Sequence, residues 1–240
     1  MNLALLFPED FITPDRVRLT GRRRTHLAEV RKACAGDRVP VGMADGDLGW
    51  GSIVAQDEDT VELAVDFSEP APAPLPLTLV LAMPRPKMFR RVLQTAASLG
   101  VKDIWLINSY KVEKSFWQTP LLAGPQLREN LILGLEQARD TAMPRVHIRK
   151  LFKPFVEDEL PSLTEQRPGL VAHPGSDEPC PVHLSRPATL CIGPEGGFIP
   201  YEVEKLIEAG CRGVHLGKRI LRVETAVPVL VSRLFDGCIR

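Results

Sequence analysis

The chain has 240 residues, of which 44% are hydrophobic, and its 30 basic and 30 acidic side chains cancel to zero net charge. That suffices for the packed cores of one large or two small domains, while no apolar run is long enough to span a bilayer. The apolar start, Met1 to Phe7, is cut by Pro8-Glu9-Asp10 and lacks a basic lead and a small-residue cleavage site, so it does not read as a signal peptide.

The five cysteines, Cys34, Cys180, Cys191, Cys211 and Cys238, form no paired framework, which favours reduced thiols and a cytoplasmic location. Charge is segregated along the chain. Arg16, Arg18, Arg22, Arg23, Arg24, Arg31, Lys32 and Arg38 crowd one early stretch, and Asp57, Glu58, Asp59, Glu62, Asp66 and Glu69 follow as an acidic block. Such segregation creates a local positive field that the net sum hides. Charge alone leaves RNA binding and an ordinary solvated face equally open.

In chain order, Val39, Val41 and Met43 alternate as a strand, and Ala44-Asp45-Gly46-Asp47 supplies a hairpin turn. A return strand is predicted from Trp50 to Val54, then a half-buried strand over Val61 to Phe67. Strands so spaced predict a small β-barrel over residues 1–70. The proline-rich stretch from Ser68 to Pro76 reads as a linker, centred on 71–76. From residue 77 the pattern becomes strand–helix alternation. Strands are predicted at Leu77 to Met83, Asp103 to Asn108, near Val146, Leu170 and Leu190, and at Val214 to Leu216. Helices are predicted from Pro86 to Leu99 with Gly100 as the stop, over 124–140 with Leu127, Leu131, Leu135 and Ala138 on one face, from Tyr201 to Ala209, and at the end. In that last helix Thr225 is the expected cap and Pro228 falls in the first turn. Alternation of this kind implies a parallel sheet covered on both faces, with ligands held by loops beyond the strands' carboxyl ends.

Three segments fit that loop position: Val171 to Gly175, Cys191 to Phe198, and Leu216 to Ala226. In the second, Gly-Pro-Glu-Gly-Gly follows a strand, and glycines let backbone approach a flat ligand closely; glycine content alone fits a plain turn as well. In the third, Lys218, Arg219 and Arg222 surround Ile220 and Leu221, with Glu224 next; alone it reads as a basic surface loop. Cys180-x-x-His183 and Cys211-x-x-x-His215 have the count of a structural zinc site, but Cys211 and His215 flank a predicted core strand, and no metal is expected.

Together, Ile192-Gly193-Pro194-Glu195-Gly196-Gly197-Phe198 and Leu216-Gly217-Lys218-Arg219-Ile220-Leu221-Arg222-Val223-Glu224-Thr225-Ala226 resemble the paired signatures of the 16S ribosomal RNA uridine-N3 methyltransferases, of the SPOUT class. Ala97 to Val101, Glu136-Gln137-Ala138-Arg139 with Pro144, and His26, Val30-Arg31-Lys32 and Gly36-Asp37 extend the resemblance over nearly the whole chain. It implies an N-terminal PUA-like β-barrel that grips RNA and an α/β domain with a trefoil knot, in a homodimer. It implies S-adenosylmethionine (SAM) as cofactor, with Val171, His173, Ile192, Gly193, Gly197, Leu216, Gly217 and Leu221 lining its site, and Arg222 and Glu224 at or beside the reacting centre. The partner it implies is the 16S ribosomal RNA of the small subunit. Arg22, Arg23, Arg24 and Arg31 are then the candidate RNA contacts, with Arg85, Lys87, Arg90 and Arg91 extending the track.

The chain departs from the family pattern in four places. It opens Asn2-Leu3-Ala4 where an early arginine is common. Val223 replaces a usual threonine, Pro228 enters a helix that normally has none, and Asp177 to Ser185 matches nothing in the pattern. The rival readings are a SPOUT enzyme acting on transfer RNA or a ribose oxygen, and an RNA-binding homologue without catalysis.

Overall fold

The computed structural model describes residues 2–30 and 33–235. The chain forms two compact units, Met1–Ala73 with Ile132–Met143, and Pro74–Leu131 with Pro144–Arg240.

The first unit is a six-stranded sheet of β1 (Ala4–Leu6), β2 (Phe11–Thr13), β3 (Arg16–Leu19), β4 (Arg38–Met43), β5 (Leu48–Gln56) and β6 (Val61–Glu69), with α1 (Gly21–Thr25) between β3 and β4. The order is β1-β4-β5-β6-β3-β2. Laid flat, six strands spaced about 4.8 Å apart would hold the two edge strands about 24 Å apart. Only four residues, Phe7 to Asp10, join those edges, and five Cα steps reach at most about 18 Å even when fully extended. The sheet must therefore curl, and its concave side buries Val17, Leu19, Val39, Val41, Ile53, Val61 and Leu63. The predicted hairpin is β4–β5, turning at Asp45 with φ +57°. β1 to β3 are too short to leave a periodic trace in the sequence.

The same four-residue corner holds a buried ion pair. Arg23 donates to both Asp10 carboxylate oxygens at 2.6 Å and to the Leu5 carbonyl at 2.7 Å. Asp10 also accepts the Phe7 N–H at 2.8 Å. The carboxylate is 7% exposed and the arginine side chain 17%. Removing one partner strands the other charge, so Asp10→Ala should cost about 3–5 kcal/mol, read as a lower midpoint in denaturant unfolding. Asp10→Ala with Arg23→Ala should cost less than the two single losses added.

The second unit is a seven-stranded, fully parallel sheet in the order β11-β13-β10-β12-β7-β8-β9. Its elements are β7 (Leu75–Ala82), α2 (Pro86–Ser98), β8 (Val101–Ile107), the first part of α3 (Gly124–Ala138, whose residues from Ile132 belong to the first unit), β9 (Arg145–Arg149), α4 (Phe152–Pro154), α5 (Leu160–Thr164), β10 (Gly169–Ala172), β11 (Glu178–Pro179), β12 (Ala188–Ile192), α6 (Pro200–Glu208), β13 (Cys211–His215) and α7 (Val223–Leu234). β7 and β12 read as nearly continuous apolar runs, interrupted by buried Thr78 and Thr189, because both of their faces are buried. β7 leads out through β8 and β9 on one side, and the later strands fill the other. β10 lies between β12 and β13, an order that no sequence periodicity encodes.

Three expectations are corrected. α7 begins at Val223 with Arg222 as its N-cap, so Thr225 is not the cap and Pro228 is an interior residue, the sixth of the helix. A proline there withholds the N–H that would bond the Glu224 carbonyl. On α3, Leu131 and Leu135 are buried but Ala138 is exposed. The segment from Asp177 to Ser185 adds β11 to the sheet edge and runs beside the end of α7, with Cys180 N bonded to the His215 carbonyl and Leu184 N to that of Leu234.

Candidate cofactor and catalytic site

β10, β12 and β13 end at one level, since Ala172 pairs with both Ile192 and Val214. Their three following loops enclose a cavity of about 300 Å³, floored by Ala226 and Leu230 of α7.

The loops after β10 and β13 are built alike. The Gly175 N–H donates to His173 Nδ1 at 3.1 Å, and the Gly217 N–H donates to His215 Nδ1 at 2.9 Å. Each neutral imidazole therefore carries its proton on Nε2. Gly217 has φ +103°, a conformation that suits glycine.

The loop after β12 is held closed by its own glycines. The Gly197 N–H bonds the Pro194 carbonyl at 2.8 Å. A Cβ on Gly193 would lie 2.9 Å from Phe198 N, and one on Gly196 would lie 2.8 Å from Lys111 Cδ. Lys111 donates to the Gly196 carbonyl at 2.6 Å and lines the cavity. Behind this loop lies Glu202, 3% exposed. Its carboxylate accepts the Tyr110 N–H at 2.7 Å, the Ile199 N–H at 3.0 Å and the Ser109 hydroxyl at 3.1 Å, tying the loop after β8 to the start of α6.

His173, Ile192, Gly193, Gly197, Leu216, Gly217 and Leu221 all line the cavity. Val171 does not: it is fully buried within β10, and Ala172 faces the cavity instead. Arg222 is exposed at the start of α7. Glu224 is half-buried, with one carboxylate oxygen shielded from solvent and without a hydrogen-bond partner. No ion pair joins these two among the described residues, although Val223, between them, lines the cavity. Lys111 and Glu202 lie outside the segments the sequence singles out, and His215 figures there only as a possible zinc ligand. The repeated His-x-Gly after β10 and β13 was a readable signal. So was a glutamate two residues after the proline that opens α6, the capping-box position.

The N-terminal arginines are partly consumed within their own unit. Arg22 pairs with buried Glu136 at 2.7 Å, Arg23 holds Asp10, and Arg24 donates to the Asp57 carbonyl at 2.7 Å. Arg31 lies outside the described residues. The zinc alternative is not assembled: Cys211 Sγ lies 3.9 Å from Cys191 Sγ, and no group of three or more metal-ligating side chains forms among the described residues. The contact with Cys211, together with burial, pushes the Cys191 thiol well above its ordinary pKa. The two cysteines flank β10 as free thiols, their sulfurs well beyond the roughly 2.0 Å of a disulfide bond.

Residues 71–235 match the RNA methyltransferase domain family. The chain belongs to that family. This RNA methyltransferase is 28% identical over 232 residues to ribosomal RNA small subunit methyltransferase E of Treponema pallidum, covering 94% of the chain and 87% of the relative. It is 23% identical over 232 residues to ribosomal RNA small subunit methyltransferase E 1 of Borreliella burgdorferi, covering 94% of each. In structure the methyltransferase superposes on a ribosomal RNA small subunit methyltransferase E from Neisseria gonorrhoeae, solved bound to S-adenosyl methionine. The TM-score is 0.75, with 22% identity, 97% of this chain and 95% of that one. That likeness shows the fold, an α/β domain with a smaller N-terminal sheet.

Proposed function

We propose that this RNA methyltransferase moves a methyl group from SAM to N3 of a uridine in the 16S ribosomal RNA of the small subunit. The observation that carries the reading is the cavity at the ends of β10, β12 and β13, walled mostly by backbone and apolar side chains. Its residues fit the cofactor. Ile192, Leu216, Leu221 and Leu230 suit the face of a flat adenine, and the backbone at Gly193 to Phe198 and at Leu216 and Gly217 offers donors and acceptors to its edge. A volume of about 300 Å³ is in the range of small-molecule pockets. His173, Gly193, Gly197 and Gly217 complete the cradle; Val171 supports it from within β10.

SAM, when bound, supplies an electrophilic methyl. The protein's task is alignment and charge stabilisation. Uridine N3 bears a proton on the pairing edge that must pass to water for N3 to take the methyl, so the base must be unpaired or flipped out to react. Arg222 stands at the positive end of α7, and no carboxylate pairs with it among the described residues. Its guanidinium and the helix terminus together favour an anionic base beside the cavity. Glu224, with its unpartnered oxygen, orients the substrate by accepting a hydrogen bond.

Residues 1–70, with 132–143, serve as the PUA-like RNA grip, 71–74 as linker, since Leu75 and Pro76 already open β7, and the rest of 77–240 as the catalytic domain. Arg22, Arg24 and Arg31 remain RNA contacts on this reading; Arg23 is committed to Asp10. Exposed Ile220, Val182 and Val229 beside the cavity support a homodimer seated on α7. A ribosomal substrate implies a cytoplasmic location, and no helix among the described residues is long and apolar enough to cross a membrane. Mass mapping of ribosomal RNA from a strain lacking the gene tests the proposal. One N3-methyluridine should vanish from 16S RNA and return with the intact gene; an unchanged modification map overturns it.

A further inference from the structure

α2 carries its charge the wrong way round for its own stability. Its sequence, Pro86 to Ser98, contains Lys87, Arg90 and Arg91 and no acidic residue, and Arg85 precedes it as N-cap. Cations in the first turns oppose the helix dipole, where a free-standing helix gains from carboxylates. Lys87 lies three and four residues from Arg90 and Arg91, so the three cations share one face and repel. All four side chains are exposed, and none pairs with a carboxylate among the described residues. The opposite face is committed to the core through Phe89, Val92, Leu93, Ala96 and Ala97.

Two further observations give this face a direction. Lys87 and Arg90 form one wall of a groove of about 480 Å³, opposite Thr119, Pro120 and Leu121. The helix also begins at the cofactor cavity: Glu195, which lines that cavity, accepts the Arg85 N–H at 3.0 Å. An uncompensated row of cations leading from a groove to a methyl-transfer site fits a chain of phosphates, because phosphates supply the missing charge at regular spacing.

We propose that the exposed face of α2, from Arg85 to Arg91, seats the phosphate backbone of the RNA strand whose base enters the cavity. This inference rests on the functional reading above. It names a contact that the N-terminal basic stretch does not provide.

The test is Lys87→Gln with Arg90→Gln and Arg91→Gln in the full chain; Arg85 is left in place because it sits beside the cofactor cavity. SAM affinity by calorimetry should be unchanged and the melting temperature equal or higher, since repulsion is relieved. Affinity for a 16S RNA fragment should fall at least tenfold at physiological salt. The slope of log affinity against log salt should flatten by about two units for three lost phosphate contacts. Lys87→Arg with Arg90→Lys and Arg91→Lys should retain the wild-type slope. A glutamine variant with the wild-type slope overturns the seat alone, provided the wild-type protein methylates 16S RNA. A glutamine variant with a lower melting temperature or weakened SAM binding overturns it in favour of a structural role. A wild-type protein without that activity overturns the functional reading and the seat with it.

Discussion

Glu202→Ala is expected to loosen the site from behind. The carboxylate is buried and accepts from the Tyr110 N–H, the Ile199 N–H and the Ser109 hydroxyl. Alanine leaves all three donors without this acceptor, the Ser109 hydroxyl in a buried position. Each hydrogen bond to a charged group contributes about 1.5–3 kcal/mol, but the three share one acceptor and relax together. A net loss of about 3–5 kcal/mol follows, visible as a lower midpoint in denaturant unfolding. The loss has a direction. It frees the loop after β8 from the start of α6, and Lys111 on that loop holds the Gly196 carbonyl. SAM affinity should therefore fall about tenfold or more, a 1.4 kcal/mol effect at minimum. Glu202→Gln should lie between, because its amide NH₂ meets donors where the second carboxylate oxygen accepted them. Wild-type stability and SAM affinity in Glu202→Ala would show that the contact is incidental.

Glu202 also marks where sequence reading reached its limit. The parallel strands are legible because burial on both faces leaves nearly continuous apolar runs, as in β7 and β12. α2 was legible because its apolar stripe ends at Gly100, which takes φ +80°. The cavity glycines were legible because paired signatures survive as local strings. Buried charge was not. Glu202, Glu136 and Asp10 look like surface residues in a sequence, and only their distant partners, such as Tyr110, Arg22 and Arg23, explain their burial. The same blindness made Arg23 a candidate RNA contact, since counting cations cannot show which are already paired. The start of α7 was misread for a local reason. Thr225 has the preferred capping chemistry, but the chain leaving β13 enters the helix at Arg222, whose extended backbone caps it without a side-chain bond.

That early start puts Arg222, rather than a threonine, at the mouth of the helix, and the last prediction depends on it. Arg222→Ala should lower kcat about 100- to 1000-fold, the usual loss when a charge-stabilising donor is removed from a transition state. SAM affinity should stay within about twofold, because Arg222 is exposed and does not line the cavity, whereas Leu221 and Val223 on either side do. KM for RNA should move less than kcat if the guanidinium acts on the developing anion rather than on the backbone of the ground-state complex. Arg222→Lys keeps the charge but loses the planar fork, so it should recover part of the rate and not all of it. Glu224→Gln makes the contrast. It retains an accepting oxygen, so its rate should fall less than that of Arg222→Ala if Glu224 positions the base, and as far or further if its negative charge takes part in the reaction. Single-turnover rates at saturating SAM separate these outcomes, and an Arg222→Ala protein with wild-type turnover would remove the arginine from the reaction.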